Sequence, residues 1–285
     1  MGRRHSREHL MSETMDTGTP GTSAPASAGA AALRRDAHRS LLAGAVLVVA
    51  AGWGLHAAWP ALFGAGYAGK AIALYGMAAG LLLHGLRHHR NARGELHPRF
   101  GAANQVSLLR LGMLAMLAAL VGEGAARAGQ PGAAVLGWAI VVWATVGAVL
   151  DAVDGPLARR SGLASDFGAR FDMETDAALM LVLCLLIVQF GQAGPWVLAV
   201  GLMRYAFVAA SWAWRWLARP LPPSTRRKTV CVVQIVTLIT ALGPIIPPAG
   251  AALIAGAGLV LLVYSFAVDV RWLAQRRHLP LENAP

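Results

Sequence analysis

The acids of this chain are few and unevenly placed. It has 14 Asp and Glu in 285 residues, and six of them fall between positions 151 and 176: Asp151, Asp154, Asp166, Asp172, Glu174 and Asp176. Asp151 and Asp154 stand three apart at the end of one apolar run, and Asp172 and Asp176 stand four apart at the start of the next. Separations of three and four put side chains on one face of a helix. Two such helices, packed antiparallel across the short 160–168 turn, turn their carboxylate pairs toward each other. Four convergent oxygen ligands suit hard cations such as Mg²⁺ or Mn²⁺. Two ions about 3.5–4 Å apart in such a pocket suit phosphoryl transfer. An unpaired carboxylate in a bilayer costs about 2.5–3.5 kcal/mol on insertion scales, so something positive must hold the group. Gly155, Ala158 and Gly168, on or near the same face, leave room for a backbone or a ligand to approach closely.

The elements that must position these acids are apolar. The chain is 56% hydrophobic and 14% charged, against about 25% charged in a soluble domain. That balance excludes a disordered chain and argues against a water-soluble enzyme. The formal charge of +11 suggests a nucleic-acid partner in a soluble protein, but with this apolar content it fits the cytoplasmic loops of a membrane protein better. Apolar runs of about 18–25 residues, each long enough to span a bilayer, lie near 41–63, 66–86, 105–126, 132–158, 170–191, 195–217, 229–246 and 249–273. Residues 1–40 read as a disordered tail, too long and polar for a secretory signal. With that tail cytoplasmic and eight crossings, Lys70 and Arg127 fall on the far side and Arg110 and Arg204 inside spans. Every other one of the 25 basic residues faces the cytoplasm. Such asymmetry predicts an all-α polytopic membrane protein of about eight transmembrane helices with both termini inside. Cys184 and Cys231 both sit in apolar runs, so they read as buried small hydrophobes and no disulfide framework is implied.

The string from Asp151 to Asp176 resembles the signature of the CDP-alcohol phosphatidyltransferase family, D-x2-D-G-x2-A-R, eight residues, then G-x3-D-x3-D. Asp151, Asp154, Gly155, Ala158, Arg159, Gly168, Asp172 and Asp176 all match it. The resemblance implies a six-helix core over 101–276, with two additional helices and a basic linker over 41–100 and a short tail over 277–285. It implies that Asp151, Asp154 and Asp172 hold two divalent ions, Mg²⁺ or Mn²⁺, against the diphosphate of a CDP-linked donor. It implies as well that Asp176 helps at that metal site and acts as the general base toward the acceptor hydroxyl. Gly155, Ala158, Arg159 and Gly168 then form the nucleotide and diphosphate surface. The expected reaction joins CDP-diacylglycerol to a small polar alcohol or alcohol phosphate and releases CMP, a step of phospholipid synthesis. Transfer of a phospho-headgroup from a CDP-alcohol to a lipid hydroxyl stays open, and so does an ion- or proton-coupled transporter, since intramembrane charges also mark transport paths. The expected partners are a lipid donor, a polar acceptor, membrane lipid and a second copy in a homodimer, with no nucleic acid; the expected location is a bacterial inner membrane.

Weaker signals lie outside that string. Asn104, Ser107 and Arg110 resemble the N-x2-T-x2-R opening of the family's first core helix, with Ser for Thr. An arginine one turn into a membrane helix needs an anionic partner, so Ser107 and Arg110 are candidate substrate contacts. Arg204, in the middle of a run, resembles an arginine of the family's fourth core helix; it faces either the pocket or one of the aspartates. Lys228, in the basic stretch Ser224 to Thr229, is a further candidate, although such a stretch is more often a topogenic or lipid-facing signal. His84, His88 and His89 read as interfacial rather than as a metal cluster. Asp166 and Glu174, outside the signature, read as surface or helix-start charges.

Overall fold

The structure is a computed structural model. It describes the backbone of residues 24–85, 102–160 and 166–277, and the side chains of residues 35–83, 105–152 and 171–277. Among the described residues there are eight α-helices: α1 (Ala24–Ala58), α2 (Tyr67–Gly85), α3 (Ala102–Ala119), α4 (Ala133–Arg160), α5 (Asp166–Gln189), α6 (Leu198–Ala213), α7 (Thr225–Ala241) and α8 (Pro248–Gln275). Among the described residues there is no strand. Each helix falls on one of the apolar runs, and the protein is an all-α polytopic membrane protein. Arg35–Ala58, Ala133–Ala152, Pro195–Ala213 and Pro248–Gln275 are long and apolar enough to cross a bilayer, and Tyr67–Leu83 and Gln105–Ala119 are shorter apolar helices. α5 falls short of that standard because Asp172, Glu174 and Asp176 lie in its first half, and α7 because it has only 17 residues, with Arg226, Arg227 and Lys228 in its first turn. Outward-facing Val46, Leu81, Leu253 and Val260 are largely exposed, as side chains that face lipid should be.

Helix ends differ from the runs where local chemistry overrides hydropathy. α1 begins at Ala24, so residues 24–40, expected in the tail, are helical; alanine-rich chain has the highest helix propensity and adds turns at little cost. α3 stops at Ala119, seven residues before its run does, and Gly122, Gly129 and Gly132 carry the following loop at positive φ. The sixth run is broken: a 3₁₀ turn at Pro195–Val197 precedes α6, and extended Trp214 separates α6 from a second 3₁₀ turn at Arg215–Ala218. α5 ends where Gly191 takes φ +68°. There the amide of Gln192 donates to Ile187 O and that of Gly191 to Val188 O, at 3.0 Å each, the closing pair of a Schellman motif.

The packing centres on α3, which touches α1, α2, α4 and α5. α1 and α2 form a hairpin laid against α3. Buried Tyr67 donates its hydroxyl to Met116 O (2.9 Å) and buried Tyr75 to Leu41 O (3.2 Å). At the end of α3 away from the carboxylates, Gln189 of α5 donates to Leu120 O (3.0 Å) and accepts from Gly122 N (2.7 Å). Lys70 of α2 pairs there with Glu123. On the other side α7 packs on α8 and on α5. α5 and α6 cross so closely that a Cβ placed on Gly201 would lie 2.5 Å from Leu181 Cα, so small residues at this crossing set the position of α5.

Candidate functional site

α3, α4, α5 and α7 bring their polar residues together at one end of the bundle. α5 offers Asp172 and Asp176 one turn apart, α4 offers Asp151, and α3 offers Arg110. One ligand oxygen from each of Asp151, Asp172 and Asp176 lies within 4.8 Å of the others. Arg110 holds them: Nη1 is 2.5 Å from Asp151 Oδ1, Nη1 donates to Asp172 Oδ1 at 2.7 Å, and Nη2 donates to Asp176 Oδ1 at 2.8 Å. Cys231 of α7 completes the wall, its thiol 3.9 Å from Asp176 Oδ2. Burial is graded across the cluster. The Arg110 side chain is 4% exposed, Asp176 15%, Asp151 30% and Asp172 43%. The guanidinium is therefore the floor of the site and Asp172 its mouth.

Such an arrangement needs positive charge among its carboxylates. A guanidinium is weakly hydrated and presents a rigid fork of donors, so of the basic side chains it is the best suited to burial among several carboxylates. The match is incomplete: one guanidinium faces three carboxylates, a formal excess of two negative charges. Negative charges held so close are costly, and a hard divalent cation would offset the excess. Three carboxylate oxygens within 4.8 Å of one another therefore fit a divalent ion such as Mg²⁺ or Mn²⁺.

The other candidates from the sequence separate into three groups. Asp154, Gly155, Ala158 and Arg159 belong to the last turns of α4 and Gly168 to the first turn of α5; their side chains, like those of Asn104 and His84, lie outside the described residues, as do His88 and His89 entirely. Ser107 lies one turn before Arg110 on α3, half-buried. Arg204 does not meet the aspartates. It pairs with Glu174, which is two residues from both Asp172 and Asp176 and so projects from another side of α5. Glu174, read as a solvated charge, is thus the counter-ion of an arginine in a membrane helix, and Arg204 Nε remains buried without a hydrogen bond.

Lys228 is exposed on α7, one turn before Cys231 and hence on the side of α7 that meets Asp176. Its neighbours are committed elsewhere. Arg226 donates to Asp269 Oδ1 (2.5 Å) and to Ser265, and Arg227 donates to the same Asp269 oxygen (3.1 Å), clasping α7 to α8. Asp269 escaped the sequence reading although its signal was present, a lone carboxylate in an otherwise apolar run. Cys231 escaped it because a small apolar residue in an apolar run carries no signal.

The molecule is thus a membrane-embedded helical protein with an aspartate cluster at one end of its bundle. Among known families, the model for CDP-alcohol phosphatidyltransferase matches residues 100–268. The match takes in more than half of the chain, and the protein belongs to that family. No curated protein and no solved structure matches it.

Proposed function

We propose that the chain is a divalent-metal-dependent phosphatidyltransferase that joins CDP-diacylglycerol to a small polar alcohol or alcohol phosphate. The alcohol oxygen attacks the phosphorus that carries diacylglycerol, the bond from that phosphorus to the CMP oxygen breaks, and CMP leaves. The hydroxyl proton passes to a carboxylate. The products are a phosphatidyl-alcohol and CMP. The observation that carries the proposal is the convergence of Asp151, Asp172 and Asp176 on one buried arginine at the end of apolar helices.

Each residue's share follows from its place. Asp151, Asp154 and Asp172, with Asp176 beside them, would hold the divalent ions. Metal at this position supplies positive charge against the donor diphosphate, where negative charge grows as CMP departs. Asp176 is the general base: it is the most buried of the three described carboxylates, and a carboxylate within hydrogen-bond reach speeds proton loss from an alcohol. Arg159, Gly155, Ala158 and Gly168 carry the nucleotide by the family pattern. Lys228 and Ser107 remain candidates for the acceptor side. Arg110 and Arg204, both already paired with acids, need release before they meet a substrate. A pocket at the end of the bundle lets a lipid-tailed donor stay in the bilayer while its CMP half reaches water, and the basic-residue asymmetry supports a cytoplasmic position for that end.

The test is CMP release by the purified protein with CDP-diacylglycerol, Mg²⁺ or Mn²⁺, and a panel of glycerol phosphate, inositol phosphate, serine and choline. Release is expected with one acceptor class and is expected to stop on chelation and in Asp176→Asn. No CMP from any CDP-linked donor, or full turnover in Asp176→Asn, refutes the mechanism.

A further inference from the structure

Arg110 has a place in the site that the reaction above does not use. Three carboxylates within 4.8 Å of one another repel strongly in a pocket that water only partly fills. They must be held together before any cation arrives. Arg110 does this from the floor, with Nη1 against Asp151 and Asp172 and Nη2 against Asp176, in each case through Oδ1. These are the same three carboxylates whose oxygens converge as metal ligands. Guanidinium and metal ion therefore draw on one set of carboxylates. The fork of the guanidinium bridges three acids at once, which the single ammonium of a lysine does not.

We propose that Arg110 is a tethered counter-ion: it keeps the cluster assembled in the metal-free protein and surrenders carboxylate oxygens when a divalent ion enters. The inference rests on reading the cluster as a metal site. It makes Arg110 a positioning residue with an opposed pair of effects. It stabilises the metal-free fold, and it weakens metal binding, because each ion must compete with a charge that is already there.

The experiment measures Mn²⁺ binding from the EPR signal of free Mn²⁺, with the full chain in nanodiscs and no donor present, together with the thermal midpoint with and without Mn²⁺. Arg110→Gln is expected to bind Mn²⁺ tighter than wild type, on the order of tenfold or more. Its metal-free midpoint is expected to fall below that of wild type, with the gap narrowing as Mn²⁺ saturates. A purely structural arginine predicts the opposite, since its loss would let the carboxylates disperse; unchanged or weaker binding overturns the proposal. Should Arg110→Gln fail to fold, Arg110→Lys decides: tighter binding than wild type with a lower metal-free midpoint supports the proposal, and equal or weaker binding overturns it. Asp172→Asn locates the ions, and binding equal to wild type in that variant overturns the proposal. A wild-type protein that binds no Mn²⁺ refutes the metal site itself, a failure distinct from that of Arg110.

Discussion

Gly201 offers the sharpest test of how the fold controls the site. A methyl group added there would sit 2.5 Å from Leu181 Cα, 2.9 Å from Leu181 Cβ and 3.0 Å from Leu181 Cδ1. Carbon atoms rest comfortably at about 3.5–4.0 Å, so α5 and α6 must part by about 1 Å. The nearest atom is backbone, so no rotamer change relieves the clash. Overpacking of this kind costs about 1–3 kcal/mol. The displaced helix is the one that carries Asp172 and Asp176, and misplacing reacting groups by 1 Å can cost about a hundredfold in rate. Gly201→Ala is thus expected to lower both the thermal midpoint and CMP release, the second more than the stability loss alone explains. Gly147→Ala is the control: it lies within α4 and a Cβ there meets nothing within 4 Å. It is expected to be neutral or to stabilise by up to about 1 kcal/mol through helix propensity. Wild-type melting and turnover in Gly201→Ala, or equal losses in both variants, would refute the idea that this crossing sets the position of α5.

Two further perturbations follow from the ion pairs outside the site. Asp269→Asn leaves Arg226 and Arg227 without their carboxylate in the α7–α8 clasp and is expected to cost about 1–3 kcal/mol, less than a fully buried pair because both arginines are partly exposed; a thermal melt in detergent checks it. Lys70→Met breaks the pair with Glu123, but the lysine side chain is 44% exposed, so the expected loss is about 0–1 kcal/mol with CMP release unchanged.

The cluster was legible in the sequence where spacing and cost coincided. Asp151, Asp172 and Asp176 repeat helical spacing at the ends of apolar runs, where a stray carboxylate is expensive, so their convergence was visible from one chain. Arg110 was visible for the same reason: a buried cation one turn into an apolar helix demands an anion. What stayed hidden was the choice among equivalent partners. Arg204 could have met any acid of α5, and the pairing with Glu174 instead of an aspartate depends on the rotation of α6 about its own axis, which hydropathy does not encode. The start of α1 and the end of α3 were missed for another reason, since alanine propensity and positive-φ glycines act over a few residues while a span is read over about twenty.

The burial gradient gives the cluster a direction. A site built for ion passage through the bilayer would continue as charged groups beyond its deepest charge. Here the residues beyond Arg110 on α3, Leu111, Met113, Leu114 and Leu117, are apolar and buried or half-buried, and the polar side chain one turn beyond Cys231 on α7 is the buried but uncharged Gln234. The carboxylates become more exposed toward Asp172, and Lys228 stands exposed on the adjoining turn of α7. Charged ligands can therefore enter and leave by the same mouth, with Arg110 closing the bottom. A one-ended pocket of this kind suits a group-transfer enzyme that takes a charged substrate from water and returns a charged product to it.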